Sequence, residues 1–335
     1  MAATFSLFSH AELSFAQVPL VHASAATRPG DEPPLRVDGR TPLEYRQVLL
    51  ETDVSRAQGA LGSAQVTIHD AAGAGGGAYT QVWAGIRGEV DTISPGQDGG
   101  RIVIGLECAP TAQPALDAEL PQHLASVLST LFSPSSLPPA FLSQLVILPN
   151  ARAWTLYLDV LILASDGGNV IDASVIAARS ALASARIPQT RAIGLEGDGD
   201  GQADSGAASG EGAGMTTDEG FSGLVKGGKA GSKAVDFELV DGGEDGARLQ
   251  GWQDLPVSIT LNLIDQLPHL DATVLEESAS SSRLVASFLP TGNLCGVAQI
   301  GEGEIEYARI MPLITEAGKY AQEMTKSLNS KLRDA

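Results

Sequence analysis

The residues whose types and spacing could support chemistry lie in one turn. Ser165-Asp166-Gly167-Gly168-Asn169 joins an apolar run, Trp154 to Ala164, to an Ala-rich stretch, Val170 to Ala185, that Pro188 closes. The run is rich in β-branched and aromatic residues, which reads as a strand buried on both faces. The stretch after it places Val170, Ala173, Ile176, Ala177, Ala181 and Leu182 at helical spacing. A strand, a glycine turn and a helix make a βα unit, and an active site would sit in the turn at the strand's C-terminal end. Two carboxylates accompany it, Asp166 in the turn and Asp159 seven residues earlier on the strand.

Other chemistry-bearing residues give weaker signals. Asp271-Ala272-Thr273-Val274-Leu275-Glu276-Glu277 gathers three carboxylates beside a strand end. Such a group can bind a metal, but no His or fourth oxygen donor accompanies it, so capping of a turn is the preferred reading and no metal or cofactor is expected. Cys108 and Cys295 sit in separate apolar stretches and read as reduced, buried thiols; His10, His22, His69, His123 and His269 show no ligand spacing. The Gly73 to Gly77 tract lacks the Gly-Lys-Ser/Thr ending of a phosphate-binding loop and reads as a hairpin extension. Leu35-Arg36-Val37-Asp38-Gly39-Arg40 is a turn flanked by arginines.

The rest of the chain must position these groups. Its 335 residues are 43% hydrophobic, enough for a sizeable core. There is no apolar run long enough for a transmembrane helix and no secretory pattern, so a soluble intracellular protein is the expectation. A formal charge of −19 argues against a general basic nucleic-acid footprint but leaves room for a local basic patch. Residues 5–26 read as an amphipathic helix with Ser9 as N-cap, interrupted near Pro19, followed by a linker to residue 34. Tyr45 to Val54, Gly62 to His69, Tyr79 to Val90 and Arg101 to Cys108 read as strands, and Asp117 to Phe132 as a helix laid on the sheet through Leu120, Leu124, Val127, Leu128 and Leu131. Leu142 to Leu148 reads as a further strand. Residues 194–251 are dominated by Gly, Asp, Glu, Ser and Ala and carry a net charge near −8 over 195–250, leaving the body near −11. This is the composition of a disordered acidic insertion, with an island at Val235 to Val240 able to add an edge strand. Val257 to Leu263, Leu267 to Thr273, Ser282 to Leu289 and Leu294 to Ile300 resume the sheet. A helix to about Leu328 ends the pattern, with Pro312 in its first turn or at a kink. The fold class is therefore α/β (α+β), a single domain over 35–330 with the insertion inside it.

In sequence order, Leu35 to Arg40, Tyr45-Arg46 to Glu51-Thr52, Gly62-Ser63-Ala64, the Asp159 strand with its Gly-Gly-Asn turn, Ile187-Pro188 and Asp271 to Glu277 resemble the RNase PH fold. Within it the likeness is greatest to the non-catalytic ring subunit of the eukaryotic RNA exosome, the ribosomal RNA-processing protein forty-two type. The resemblance implies a βαβ-layered domain of the ribosomal protein S5 domain 2-like kind in a six-membered ring around an RNA channel. It also implies S1- and KH-type cap subunits, an associated hydrolytic nuclease, and residence in nucleus, nucleolus and cytoplasm, with no membrane or DNA partner. Phosphorolysis requires a phosphate held beside the scissile phosphodiester, hence gathered positive charge. Active relatives resemble one another in a basic loop and a Gly-Thr-Arg or Gly-Ser-Arg turn. Gln113 to Thr130 has no Lys or Arg, and Gly168-Asn169-Val170-Ile171-Asp172 offers an amide, two aliphatics and a repelling carboxylate.

By the same resemblance Asp166 matches an acidic residue used for metal or general-acid work, so Asp159 and Asp166 are vestigial candidates, with capping of the helix or turn as the preferred role of Asp166. Arg40, Arg87 and Arg101 are candidates for RNA phosphates. The expectation is a non-catalytic scaffold of the exosome ring in rRNA maturation and mRNA turnover. Two alternatives stand beside it: an active phosphate-dependent 3′-exoribonuclease using Asp159 and Asp166, and an acidic protein-interaction module unrelated to RNA.

Overall fold

A computed structural model describes residues 8–26, 35–53, 59–69, 77–93, 99–112, 119–194, 234–240, 246–264 and 267–333. The Gly73 to Gly76 tract and residues 195–233 of the acidic segment lie outside them.

Helix α1 (His10–Ala26) opens the chain. Ser9 and Glu12 form a reciprocal cap, Ser9 N donating to Glu12 Oε2 at 2.7 Å and Glu12 N to Ser9 Oγ at 3.4 Å. The helix runs through Pro19 without the interruption expected there. Strands β1 (Val48–Thr52), β2 (Gly62–His69), β3 (Tyr79–Thr92) and β4 (Arg101–Cys108) follow, then α2 (Leu120–Leu131). All five apolar residues assigned to the inner face of α2 are buried. The stretch expected as one strand from Leu142 divides into α3 (Pro139–Ser143) and a short β5 (Val146–Leu148). Pro138 and Pro139 pre-set the first turn of α3, which the periodicity of the apolar residues did not show.

The central unit is β6 (Arg152–Ser165) and α4 (Val170–Ser184). β6 pairs antiparallel with β3 and parallel with β4, in a sheet ordered β1-β2-β3-β6-β4 with β5 beside β6. Every residue of α4 is buried. Side chains of one parity on β6, Leu156, Leu158, Val160 and Ile162, join the buried core with Val82, Ala84 and Ile86 of β3. Those of the other parity, including Tyr157 and Asp159, lie on the outer face. Small residues on α4 permit close approach to β2: a Cβ on Gly62 would lie 2.6 Å from Ala185 Cα and 2.8 Å from Ala181 O.

Beyond α4 come β7 (Arg186–Pro188), β8 (Thr190–Gly194), β9 (Ala234–Leu239) and β10 (Gly246–Arg248), paired as β7 with β10 and β8 with β9. The apolar island of the acidic segment is thus a strand, and described strands occupy part of the range read as an insertion. β11 (Val257–Ile264), β12 (Leu267–Leu270), α5 (Val274–Ala279), β13 (Ser282–Phe288) and β14 (Leu294–Ile300) build a second antiparallel sheet, ordered β12-β11-β13-β14. Helix α6 (Tyr307–Arg333) closes the fold, with Pro312 inside it and Leu313, Ala317, Ala321, Leu328 and Leu332 buried. Among the described residues no helix is long and apolar enough to cross a membrane.

The contact of Gly62 with α4 backbone leaves no soft neighbour to give way. Gly62→Ala should destabilise the fold by about 1–3 kcal/mol through overpacking, seen as a lower denaturation midpoint at unchanged m-value. An unchanged midpoint would mean that α4 is free to move off β2.

Candidate active-site turn and its internal carboxylates

The turn between β6 and α4 is compressed from both sides. A Cβ on Gly167 would lie 2.8 Å from Thr80 N, and one on Gly168, at φ +75°, would lie 2.5 Å from Ala272 O. Only glycine suits both the space and the left-handed backbone at Gly168. Thr80 Oγ1 donates to Gly168 O at 2.6 Å. Asn169 follows in the left-handed region at φ 54°, ψ 40°, a conformation Asn tolerates better than most side chains. It stands at the start of α4, so the N-cap position belongs to Asn169 and not to Asp166, which is exposed.

A helix N-terminus at the end of a strand is an anion site, because backbone N–H groups and the helix dipole point at it. Here the chain supplies the anions itself. The Asn169 backbone N–H donates to Glu277 Oε1 at 2.8 Å, and the Asn169 amide Nδ2 donates to Asp271 Oδ1 at 2.9 Å. Asp271 is fully buried and collects the surrounding cations. Arg46 donates to it from its backbone N (2.7 Å), Nε (2.8 Å) and Nη2 (2.7 Å), and Arg40 Nη1 donates at 3.0 Å. Arg46 Nη1 also binds Gly167 O at 2.7 Å, which ties the arginine to the turn. Burial pushes the Asp271 carboxyl upward, and the hydrogen bonds and charge of Arg46, with the charge of Arg40, outweigh it and hold the group below the usual carboxylate range.

The carboxylates expected to cap a turn therefore do separate work. Glu276 forms a capping box with Thr273 and an ion pair with Arg36, whose guanidinium also donates to Leu270 O and Asp271 O. Glu277 lies 3.7 Å from Arg283 as well as serving α4. The capping expectation holds for Glu276, and among the described residues no cluster of His, Cys, Asp and Glu is arranged to hold a metal ion. The LRVDGR turn supplies Arg36 and Arg40 to this network. That role was not visible in the sequence, where the two arginines stand some 230 residues from their partners.

Asp172 corrects a second expectation. It does not face the turn as a phosphate-repelling group: it is wholly buried in the first turn of α4, where Thr260 Oγ1 donates to Oδ1 at 2.7 Å and Tyr45 Oη to Oδ2 at 3.1 Å. Burial raises its carboxyl to about 7, although the two hydroxyl donors act in the opposite direction. Tyr45 also lines a half-open cleft of about 490 Å³ between β1 and α6, whose walls include Val48, Leu50, Ile176 and Met324. Deeper in α4, Arg179 is fully buried, bound through Nη2 to Gln253 O and Asn329 Oδ1, and burial lowers it to about 10.

Asp159 and Asp166 do not lie side by side. Six strand steps at roughly 3.3 Å each put Asp159 about 20 Å from Ser165, where β6 ends and the turn with Asp166 begins, and Asp159 on the outer face pairs with Arg87 at 3.0 Å. Of the arginines considered for RNA, Arg40 is only 7% exposed, and its donors are bound to Asp38, Asp271 and backbone oxygens. It is a structural residue. Arg87 and Arg101 lie together on the outer face of the first sheet, with side chains 60% and 48% exposed. Arg87 stacks over Tyr157 at 5.7 Å, while Arg101 pairs with Asp91 at 2.7 Å and donates to Thr155 at 3.2 Å.

This two-sheet body with a central βα unit matches one family. The 3′ exoribonuclease (RNase PH) models align domain 1 with residues 44–188 and domain 2 with residues 254–319. The chain belongs to the RNase PH family. Among curated relatives it is 23% identical to the Dictyostelium discoideum exosome complex exonuclease RRP42, over 91% of this chain and 95% of that protein. It is 34% identical to the exosome complex component Rrp42 of Thermoplasma volcanium, over 47% of this chain; the match spans only 56% of that relative. Among solved structures it is similar to a chain of the Archaeoglobus fulgidus exosome with RNA bound to the active site, at TM-score 0.64 and 21% identity over 94% of this chain and 98% of that one. An archaeal exosome core chain follows at TM-score 0.60 and 20% identity, over 95% and 99% respectively.

Asp172 makes stability depend on pH in a definite direction. Its folded-state pKa, about 7, is raised above the ordinary 3.8, so between about pH 4 and pH 7 the folded state binds more protons than the unfolded one. Its contribution is fully present at the acid end of that window and lost as pH rises through about 7. Asp172→Asn should flatten this part of the stability curve, measured by urea denaturation at pH 5.5 and pH 8. An unchanged slope would place the titration elsewhere.

Proposed function

We propose that this chain is a non-catalytic structural subunit of an RNase PH-like exosome ring, supporting 3′-to-5′ RNA processing and degradation. Family membership and the exosome components among its relatives support the assembly; the internal filling of the anion site at the start of α4 supports the loss of chemistry. Phosphorolysis needs inorganic phosphate bound beside the scissile phosphodiester, with donors and cations left over to hold it. At this turn Glu277 takes the backbone N–H of Asn169, and Asp271 takes the Asn169 amide and donors of Arg40 and Arg46. A second anion would meet carboxylates. Asp166 remains at the turn, but a carboxylate without bound phosphate has no nucleophile to direct.

In this reading the other RNase PH-like ring subunits, the S1/KH caps and a hydrolytic nuclease are its partners, and nucleus, nucleolus and cytoplasm its locations. RNA passing the subunit meets Arg87 and Arg101, whose exposed ion pairs are weak enough to exchange for phosphates without reading sequence.

Labelled RNA and phosphate incubated with the purified chain, alone and with its ring subunits, tests the proposal. Asp166→Ala should leave the release of nucleoside diphosphates by the assembled ring unchanged, and the chain alone should release none. Release that disappears in the variant would establish a phosphorolytic site. Native mass spectrometry of the tagged protein from cells should recover ring subunits with it; a lone monomer would remove the exosome assignment.

A further inference from the structure

We propose that the open edge of β14, together with the first turns of α6, is a docking surface for an extended, lysine- or arginine-bearing segment of a protein partner. Among the described residues β14 ends the second sheet, with β13 on one side and Thr130 of α2 close to its Gly296. Such an edge presents a row of backbone donors and acceptors, and edges that must stay unpaired commonly carry a lysine or proline. β14, Leu294-Cys295-Gly296-Val297-Ala298-Gln299-Ile300, carries neither.

Its side chains and those of α6 form one apolar strip. Leu294 lies opposite Phe288 and Val297 opposite Ala286, so the two share the sheet face of Phe288. α6 covers that face: a Cβ on Gly318 would lie 3.4 Å from Phe288 Cε1, and one on Gly292, in the β13–β14 turn, would lie 3.1 Å from Gln322 Nε2. Tyr307, Met311, Gly318 and Gln322 fall on one side of the helix at 100° per residue, so Tyr307 and Met311 continue the side that meets the β13–β14 edge. Leu294 and Val297 are 45% and 46% exposed, and Met311 and Tyr307 are 66% and 88% exposed. Four large apolar side chains on one edge form a patch of the kind that marks an interaction site.

Charge selects the occupant. The chain leaves β14 through Glu302 and Glu306, both exposed, with Arg309 the cation that follows within this stretch. A strand added to β14 would pass these carboxylates, so alternating basic and apolar side chains suit it, and polyanionic RNA is repelled. Strand addition supplies affinity through main-chain hydrogen bonds, and the apolar strip with its acidic rim supplies specificity. This inference goes beyond the ring reading and does not rest on it.

The test uses the full chain and a fluorescent decapeptide of alternating Lys and Val, with a Glu/Val decapeptide as control. Polarisation should show salt-sensitive binding of the Lys/Val peptide and none of the Glu/Val peptide, and hydrogen exchange should slow within 294–300. E302Q/E306Q should weaken binding about fivefold, the loss of roughly two exposed ion pairs. L294S/M311S should weaken it as well, with circular dichroism unchanged in both variants. Equal binding of the two peptides, unaltered affinity in E302Q/E306Q, or protection outside β14 would overturn the proposal. So would self-association of the chain in analytical ultracentrifugation that L294S/M311S abolishes, because the occupant would then be a second copy.

Discussion

The ion cluster around Asp271 is the constraint on which the rest of the molecule depends. One buried carboxylate accepts from Arg40, Arg46 and Asn169, and through them it joins the N-terminal turn, the lead-in to β1 and the start of α4. Removing one partner from such a cluster leaves buried charge uncompensated, at a cost of about 3–5 kcal/mol. The carboxylate itself comes from the segment after β12, so the second sheet is fastened to the turn of the first. α4, buried along its whole length, can then begin only where Asn169 places it.

On the reading proposed above, this arrangement separates the form of an active site from its chemistry. The strand, the glycine turn and the helix N-terminus retain the geometry that gathers an anion, and Asp166 still stands at the turn. The donors of Asn169 at the start of α4 are taken by Asp271 and Glu277, which on that reading leaves no place for a substrate phosphate. Arginines that would serve a substrate in an open site instead neutralise side chains of their own chain. Two exposed arginines, Arg87 and Arg101, lie elsewhere, on the outer face of the first sheet, where their pairs are solvated and weak.

Much of the fold was legible because its elements carry clear periodicity. β6 announced itself as a continuous β-branched and aromatic run, although its outer face with Asp159 is partly exposed and not buried as that run suggested, and α2 showed all five of its buried residues in spacing alone. The failures have local causes. Pro138 and Pro139 initiate α3 in a stretch whose apolar residues also suit a strand, and α1 accepts Pro19 where a break was expected. The site was legible only in part. That Asn169 stands in the turn where the resemblance implies a phosphate-holding residue could be read from the sequence, but its partners could not, because Arg40, Arg46 and Asp271 are joined by contacts more than 220 residues apart. Asp172 was misread for the same reason. Its position in the motif pointed to the turn, whereas Tyr45 and Thr260 draw it into the interior.

The central claim is that the anion site at the start of α4 is filled from within, and direct titration with inorganic phosphate tests it most simply. Amide resonances of residues 167–172, followed by NMR as phosphate is raised into the millimolar range, should show no saturable shift in the wild-type chain. Saturable shifts centred on Asn169, lost in Asn169→Ala, would contradict the account and return this turn to the class of working phosphate sites.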